Sequence, residues 1–263
     1  MHFQHAIVRK PCRAMLSGIT TGMFSKETPI YEAALKQHAG YVKALEQLGL
    51  KVLVLKALED YPDSCFVEDP AVVMPECAIV TNSPRASRNG EKYEIREALE
   101  QFYPSDAIFA IEAPGTMEGG DVMLVDKHFY VGQSERTNAE GARQFADIVK
   151  PFGYTVTTVP VTEGLHLKDF VIWLDENHLL VSAVMDKMEA FQDFDRYVVP
   201  AEEAYAINSL WINGTVLVPA GYPKTREAIE GMGYPVLVVN TDEFKKIDGS
   251  LTCLSLRFSS RTV

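Results

Sequence analysis

Residues 210–218 read Leu-Trp-Ile-Asn-Gly-Thr-Val-Leu-Val, which is two β-rich apolar runs joined by a two-residue turn. An Asn-Gly pair between such runs predicts a β-hairpin, because a type I′ turn needs a positive φ at both central positions. The pattern of an apolar run, a polar turn and a second apolar run recurs at residues 71–80, 122–131 and 171–180. The hairpin is therefore a repeated unit of this chain.

Each hairpin is followed by a helical stretch and then by one more β-rich run. The helix and strand of these four units are predicted at 91–102 with 108–111, 138–149 with 155–159, 185–191 with 196–199, and 223–232 with 236–239. A fifth unit forms if the chain ends join, with 251–258 and 5–9 as the hairpin, 30–48 as the helix and 52–55 as the strand. Because such repeats bury their apolar faces only against neighbours, five ββαβ modules predict a closed ring, a five-bladed α/β propeller.

We expect one domain over residues 1–263, since no Gly/Ser-rich linker or shift in composition divides the chain. A doubly wound sheet is the competing α/β architecture. It predicts single strands that alternate with helices, and it does not account for repeated hairpins.

The composition narrows the possible partners. The 263 residues carry 25 Lys and Arg against 36 Asp and Glu, a net charge of −11, whereas a nucleic-acid partner would require a concentrated basic face. No apolar run reaches the length of a membrane span, and the first residues lack the apolar core of a signal peptide. We therefore expect a soluble, cytoplasmic protein that binds neither nucleic acid nor membrane.

Familiar catalytic and metal-binding motifs are missing from the sequence. It has no phosphate-binding loop, dinucleotide fingerprint, serine-hydrolase elbow or zinc-protease helix motif. Its four cysteines lack zinc-site or redox-motif spacing. We expect Cys12, Cys65 and Cys77 to be small buried apolar residues.

Polar residues follow the last strand of four modules, at positions that converge on the axis of a ring. They are Asp63, Glu68 and Asp69, then Glu118 and Asp121, then His166 and Lys168, and finally Asp248 and Cys253. Together they suit a thiol nucleophile with an acid/base partner and an acidic site for a cation. Taken singly, Cys253 is more typical of a core residue and His166 of an ordinary buried histidine, but their matching positions favour a functional site.

The same residues outline a substrate. Clustered carboxylates suit a planar guanidinium, which donates two parallel N–H bonds to one carboxylate. Arg88 and Arg136 could bind a carboxylate, although either alone is more typical of a surface ion pair. An amino acid that carries a guanidinium satisfies both sets.

These residues stand in motifs that resemble those of the dimethylarginine dimethylaminohydrolases, within the amidinotransferase-like superfamily. The motifs are Asp63-Ser64, Phe66-Val67-Glu68-Asp69, Glu118-x-Gly120-Asp121, Arg136-Thr137-Asn138, His166-Leu167-Lys168 and Leu251-Thr252-Cys253. The resemblance covers nearly the whole chain and is strongest to bacterial members, which carry Glu at position 118. It implies the five-bladed pentein fold, a single catalytic domain, hydrolysis of methylated arginine to citrulline and dimethylamine, and no metal or organic cofactor.

The resemblance also implies a role for each site residue. Cys253 corresponds to the nucleophile, His166 to the general acid/base and Glu118 to the carboxylate that orients it. The implied substrate contacts are Asp69 and, secondarily, Glu68 for the guanidinium, Arg88 and Arg136 for the carboxylate, and Asp63 with the backbone carbonyls of Ile19 and Ile247 for the α-amino group. The expected partner is this small molecule, and a homodimer is left open.

Two alternatives remain at this point. Arginine deiminases resemble this chain but carry Asp two residues after the catalytic histidine, where this sequence has Lys168. The missing carboxylate favours an N-methylated guanidinium, while other guanidino substrates such as Nω-hydroxyarginine stay open. A non-catalytic arginine-binding protein is the second alternative, but it would not require Cys253 and His166.

Overall fold

The computed structural model describes residues 2–259 and arranges them as five three-stranded sheets. In every sheet the middle strand pairs antiparallel with the strand before it in its module and parallel with the strand after it. Parallel neighbours need a crossover connection, and the helical segment of each module supplies it. Five such sheets confirm the predicted propeller of ββαβ modules.

The strands and helices agree closely with the sequence pattern. The strands are β1 (His5–Arg9), β2 (Lys51–Leu55), β3 (Ala71–Val73), β4 (Ala78–Val80), β5 (Ile108–Ala110), β6 (Val122–Val125), β7 (His128–Gln133), β8 (Thr155–Pro160), β9 (Val171–Trp173), β10 (His178–Val181), β11 (Asp195–Val198), β12 (Leu210–Ile212), β13 (Thr215–Pro219), β14 (Val236–Val239) and β15 (Leu256–Phe258). The α-helices are α1 (Tyr31–Gln47), α2 (Ala86–Asn89), α3 (Glu91–Leu99), α4 (Ala139–Val149), α5 (Pro223–Gly231) and α6 (Asp242–Lys245).

The two ends of the chain complete one module, as the repeat predicts. Strand β1 pairs antiparallel with β15 and parallel with β2, and α1 connects the two parallel strands. The predicted strand at 251–258 begins only at Leu256, because residues 251–254 form a turn. That turn carries Cys253 towards the centre of the ring.

The Asn213-Gly214 turn has the geometry that its sequence predicts. Asn213 has φ 50° and Gly214 has φ 91°, as a type I′ turn requires. The Asn213 side-chain amide donates to the carbonyls of Phe3 and Leu48 at 2.9 and 3.1 Å, and its oxygen accepts from the Phe3 backbone N–H at 2.8 Å. The turn therefore also joins the β12–β13 hairpin to the module that contains both ends of the chain.

The helix predicted at 185–191 is wrong in type. The structure has two short 3₁₀ helices there, Met185–Lys187 and Glu189–Phe191. Met188, between the two, has an extended backbone with φ −74° and ψ 131°, which interrupts the helix. The Arg196 guanidinium also bonds the carbonyls of Phe191, Gln192 and Phe194 at 2.8–2.9 Å.

Five hydrophobic clusters, rather than one central core, stabilise the ring. In one of them Phe145 of α4 packs edge-to-face on Phe129 of β7, with ring centroids 4.9 Å apart. Cys12, Cys65 and Cys77 are buried, as expected. None of the helices within residues 2–259 is long and apolar enough to cross a membrane.

Candidate active site

One narrow cavity of about 20 Å³ collects most of the predicted site residues. Its lining includes Cys253, His166, Asp69, Asp63, Arg88, Arg136, Ile19 and Ile247. Glu118 and Glu68 do not line it, and they act on it through neighbours. Residues from four modules therefore converge at this point, as the ring geometry predicts.

Cys253 is buried in the turn at 251–254, with 9% of its surface exposed. Hydrogen bonds fix this turn, since the Cys253 carbonyl accepts from the Glu68 backbone N–H at 3.2 Å and the Thr252 backbone N–H donates to Asn208 Oδ1 at 3.0 Å. Burial raises the pKa of the Cys253 thiol, and the negative charges of Glu68, Asp69 and Asp169 raise it further. The thiol is therefore neutral at pH 7.

His166 lies just before a short 3₁₀ helix, Leu167–Asp169. Its backbone N–H donates to Asp169 Oδ2 at 3.0 Å, which fixes the loop. Its Nε2 lies 2.7 Å from Glu118 Oε2 and 3.6 Å from Asp69 Oδ1. Burial disfavours the protonated ring, but Asp69, Glu118 and Asp121 outweigh that effect and raise the pKa of His166 to about 10. The ring is therefore an imidazolium at pH 7 and donates to Glu118.

Glu118 is fully buried and anchors the histidine. Both of its oxygens accept from Arg136 Nη1 at 2.9 Å, and Ser83 Oγ donates to it as well. Burial acts to raise the pKa of Glu118, but the hydrogen bond and charge of His166 and the charges of Arg88 and Arg136 hold it well below its usual range. Glu118 therefore stays ionised and fixes the orientation of the His166 ring.

Two adjacent glycines allow the acidic residues and the histidine to approach closely. The Gly119 backbone N–H donates to the Asp69 carbonyl at 2.9 Å, and the Gly120 backbone N–H donates to Asp69 Oδ1 at 3.0 Å. A Cβ on Gly120 would lie 2.6 Å from His166 Cγ, and one on Gly119 would lie 2.0 Å from the Glu68 carbonyl oxygen. The sequence predicts only a turn here, whereas the structure shows that any side chain would displace site residues.

Arg88 is held entirely by groups of the protein. Its Nη1 donates to Asp69 Oδ2, and its Nε and Nη2 donate to Glu91 at 3.0 and 2.8 Å. Nη2 also bonds the carbonyl of Phe66 at 3.0 Å. Sequence reasoning missed Glu91, although a Glu three residues after an Arg on a helix is a recognisable pairing. The predicted contact of Arg88 with a substrate carboxylate stays a prediction, since Glu91 already occupies its guanidinium.

The guanidinium of Arg136 makes fewer hydrogen bonds than that of Arg88 in the described part of the chain. It is 2% exposed, and Glu118 bonds its Nη1. Its Nε is buried with no hydrogen-bond partner in the described part of the chain. Arg136 also lines the cavity, and its predicted contact with a substrate carboxylate stays a prediction.

Asp63, Ile19 and Ile247 lie together at one end of the cavity. Asp63 Oδ1 accepts from the Ile19 backbone N–H at 3.0 Å. A Cβ on Gly18 would lie 3.0 Å from Asp63 Oδ1 and 3.3 Å from Ile247 Cγ2, which shows how close the three groups are. Burial raises the pKa of Asp63.

Glu68 and Lys168 pair with each other and line a second cavity. Lys168 Nζ lies 2.6 Å from Glu68 Oε1, which also accepts from Arg257 Nη2 at 3.1 Å, while Glu68 Oε2 accepts from Thr252 Oγ1 at 2.7 Å. The second cavity, of about 160 Å³, is lined by residues of β3, β6, β9, β12 and β15 and so lies on the axis. The carboxylate of Glu68 therefore holds the nucleophile's turn, and its predicted contact with a guanidinium stays a prediction.

Asp69, Glu118 and His166 bring three potential metal-ligand atoms within 4.8 Å of one another. The raised pKa of His166 keeps its ring protonated at pH 7, and Arg88 and Arg136 already neutralise the two carboxylates. A metal ligand must be a deprotonated nitrogen or a free carboxylate. This set is therefore poorly suited to a metal ion.

Comparison with known proteins shows which family this chain resembles. A family model described as N,N dimethylarginine dimethylhydrolase, eukaryotic, matches residues 20–186. The N(G),N(G)-dimethylarginine dimethylaminohydrolase of Pseudomonas aeruginosa is 44% identical over 97% of this chain and 100% of its own. The protein of the same name from Streptomyces coelicolor is 34% identical over 98% of each chain.

Solved structures agree with these sequence similarities. A cysteine-to-serine variant of the Pseudomonas aeruginosa protein in complex with citrulline superposes with a TM-score of 0.95, at 43% identity over 98% of this chain and 100% of that one. A histidine-to-glycine variant described as an adduct with S-methyl-L-thiocitrulline gives a TM-score of 0.94, at 44% identity over 97% and 100%. The N-terminal domain of ArgZ, at 17% identity and a TM-score of 0.84, shares the fold alone.

Proposed function

Since the chain belongs to the dimethylarginine dimethylaminohydrolase family, we propose that it hydrolyses Nω,Nω-dimethyl-L-arginine to L-citrulline and dimethylamine. The observation that carries the proposal is the meeting of Cys253, His166 and Asp69 in one buried cavity. That set supplies a nucleophile, a proton donor and an anion for the guanidinium. The relatives that bind citrulline and form an adduct with S-methyl-L-thiocitrulline support the same chemistry.

We propose that the bound substrate itself activates Cys253. In the free cavity, burial and nearby negative charges keep the thiol protonated. A guanidinium held at Asp69 brings a positive charge next to the sulfur, and a nearby cation favours the thiolate. The thiol proton passes to solvent, because His166 is already protonated. The nucleophile therefore forms only where its substrate is present.

The remaining steps use His166 as the proton carrier. The Cys253 thiolate forms an S–C bond to the guanidinium carbon, and the C–N bond to the dimethylamino group breaks as the His166 imidazolium donates a proton to the leaving amine. This leaves a thiouronium on Cys253. Water then attacks the same carbon and loses one proton to His166. The C–S bond breaks as the second proton of the water passes to the sulfur, which releases citrulline and regenerates the thiol.

The carboxylates around the cavity favour a methylated guanidinium over arginine. Asp69 lies beside His166, while Lys168 turns its ammonium to Glu68 at 2.6 Å and presents no carboxylate. Asp169, one residue further on, accepts from the His166 backbone N–H and does not line the cavity. One terminal nitrogen of the substrate is thus left without an anionic partner, so methylation there sacrifices no ion pair.

A competition experiment tests this function. Equal concentrations of Nω,Nω-dimethyl-L-arginine and L-arginine are incubated with the enzyme, and mass spectrometry quantifies the dimethylamine and ammonia released. The Cys253→Ser variant serves as the blank. We expect dimethylamine to dominate, whereas an excess of ammonia would make the enzyme an arginine deiminase.

We also propose a domain organisation, a location and an oligomeric state. We propose that residues 1–263 form one catalytic domain, since strands from both ends of the chain share a sheet. A cytoplasmic location fits the acidic composition. We also propose a homodimer, and light scattering tests it by measuring the molar mass in solution.

A further inference from the structure

Two carboxylates of the cavity hold the same loop. Asp63 Oδ1 accepts from the Ile19 backbone N–H at 3.0 Å. Asp248 Oδ2 accepts from the Thr21 backbone N–H at 2.5 Å, from Thr21 Oγ1 at 2.8 Å and from Thr20 Oγ1 at 3.2 Å. The segment 19–21 is therefore fixed from both sides at the amino end of the cavity.

The second oxygen of each carboxylate accepts no hydrogen bond from this loop. Asp63 Oδ2 and Asp248 Oδ1 are buried and have no hydrogen-bond partner within residues 2–259. The two residues are 3% and 7% exposed, and both line the cavity. Neither forms an ion pair with any described cationic side chain, although such a pair is the usual state of a buried carboxylate. A positively charged donor in the cavity would satisfy both oxygens.

We propose that Asp248 is a second carboxylate for the α-ammonium group of the substrate, acting with Asp63 and selecting a free amino acid. This rests on the proposed function, because that function supplies a substrate with such a group. An ammonium has three donors, enough for both carboxylates and a backbone carbonyl of Ile19 or Ile247. The resemblance to the family assigned Asp63 and the two carbonyls to this group, but it assigned no role to Asp248.

The proposal makes Asp248 a determinant of specificity. A methylarginine within a peptide, or one with an acylated amine, carries an uncharged amide in place of the ammonium. Binding it would leave two buried carboxylates unpaired, and a site built around a polar group strongly rejects an analogue that lacks it. The enzyme would therefore act on free methylarginine and not on methylated proteins.

The backbone of Asp248 offers a clean substitution. Its φ is 55°, a left-handed conformation that Asn also adopts readily. Asp248→Asn thus removes the charge while the amide oxygen still accepts from Thr21. Asp126, at φ 52° in the β6–β7 turn and exposed, gives the matched control Asp126→Asn.

The test compares two substrates on each variant. They are Nω,Nω-dimethyl-L-arginine and its analogue without the α-amino group, 5-(N′,N′-dimethylguanidino)pentanoate. We expect Asp248→Asn to raise KM for dimethylarginine at least about tenfold, the usual effect of losing a hydrogen bond to a charged group, with little change in kcat. KM for the analogue should stay unchanged, and Asp126→Asn should match the wild type on both.

A purely structural role gives a different result. If Asp248 only fixes the loop, Asp248→Asn and Thr21→Val will raise KM equally for both substrates, and this result overturns the proposal. An unchanged KM for dimethylarginine in Asp248→Asn overturns it as well. Calorimetry in the Cys253→Ser background, with L-arginine and 5-guanidinopentanoate as ligands, repeats the comparison without turnover. Wild-type enzyme that releases no dimethylamine contradicts the proposed function alone, while the calorimetric comparison still decides the role of Asp248.

Discussion

Replacing Gly120 by alanine adds one methyl group where the backbone packs against His166 and Asp69. The new Cβ would lie 2.6 Å from His166 Cγ, 2.7 Å from His166 Nδ1 and 2.8 Å from Asp69 Oδ1. All three are side-chain atoms, so the chain can fold if those side chains move. At Gly119 the obstacle is the Glu68 carbonyl at 2.0 Å, which is backbone and cannot yield.

The required movement sets the expected loss of activity. Ordinary contact begins at 3.4 Å, so the His166 ring must shift by about 0.8 Å. A ring that moves away from Glu118 by this amount stretches the 2.7 Å bond between them to about 3.5 Å, the limit of a hydrogen bond. A misplacement of about 1 Å typically costs about 100-fold in rate, so we expect kcat to fall at least about 100-fold. The pKa of His166 should also fall below its value of about 10, since this bond helps to raise it.

The assay needs a control for the substitution itself. Gly40 lies exposed in α1, and a Cβ there meets no atom within 4 Å. Gly40→Ala should keep wild-type kcat and stabilise the protein by about 0.5–1 kcal/mol, as Gly→Ala does within a helix. Steady-state kinetics on dimethylarginine, thermal unfolding and an NMR titration of the His166 ring are measured for both variants.

One outcome would refute this reasoning. If the Gly120→Ala variant folds and retains both the kcat and the His166 pKa of the wild type, then close packing at Gly120 does not position the catalytic histidine.

Two further predictions concern the thiols and the titration of the histidine. Cys253→Ser should abolish turnover, because a hydroxyl is a far weaker nucleophile than a thiolate. Cys12→Ser should retain most of the turnover, since the Cys12 thiol only donates to the carbonyls of Tyr61 and Pro62 at 3.6 and 3.7 Å. Equal losses in both variants would contradict the assignment of Cys253 as the nucleophile. The His166 ring should stay protonated at pH 8 by NMR, because its pKa is raised from 6.5 to about 10. The stability that this charge contributes is fully present below pH 6.5 and is lost as the pH rises through about 10. The melting temperature of the wild type should therefore decline between pH 7 and 10.5, and the decline should be smaller in His166→Gln.

The repeat in the sequence predicts the ring because hairpin signals are local. Asn213-Gly214 encodes its own turn, and four more units with the same pattern leave few ways to close a sheet-rich chain. The α-helix predicted at 185–191 is wrong because Met188 has an extended backbone and Arg196 of the following strand bonds the Phe191 carbonyl. The apolar pattern of the segment marks neither feature.

The candidate site, too, could be predicted from the sequence only in part. Cys253, His166 and Asp69 follow strand ends, so the ring geometry alone predicts that they meet. The pairing of Arg88 with Glu91 is local, since the two residues are three positions apart, and the sequence could have shown it. The need for glycine at 120 and the dual bonding of Asp248 instead depend on approaches across modules, and the loop partners of Asp248 lie more than 220 residues away in sequence. Sequence spacing does not encode such contacts.

The central claim is that Cys253 forms a covalent bond to the guanidinium carbon. Enzyme turning over Nω,Nω-dimethyl-L-arginine is quenched in acid within milliseconds, digested and analysed by peptide mass spectrometry. We predict one modified peptide, the one that contains Cys253, with a mass increase equal to the substrate minus dimethylamine. Unmodified Cys253 during confirmed turnover, or the same mass increase on another residue, would contradict the mechanism.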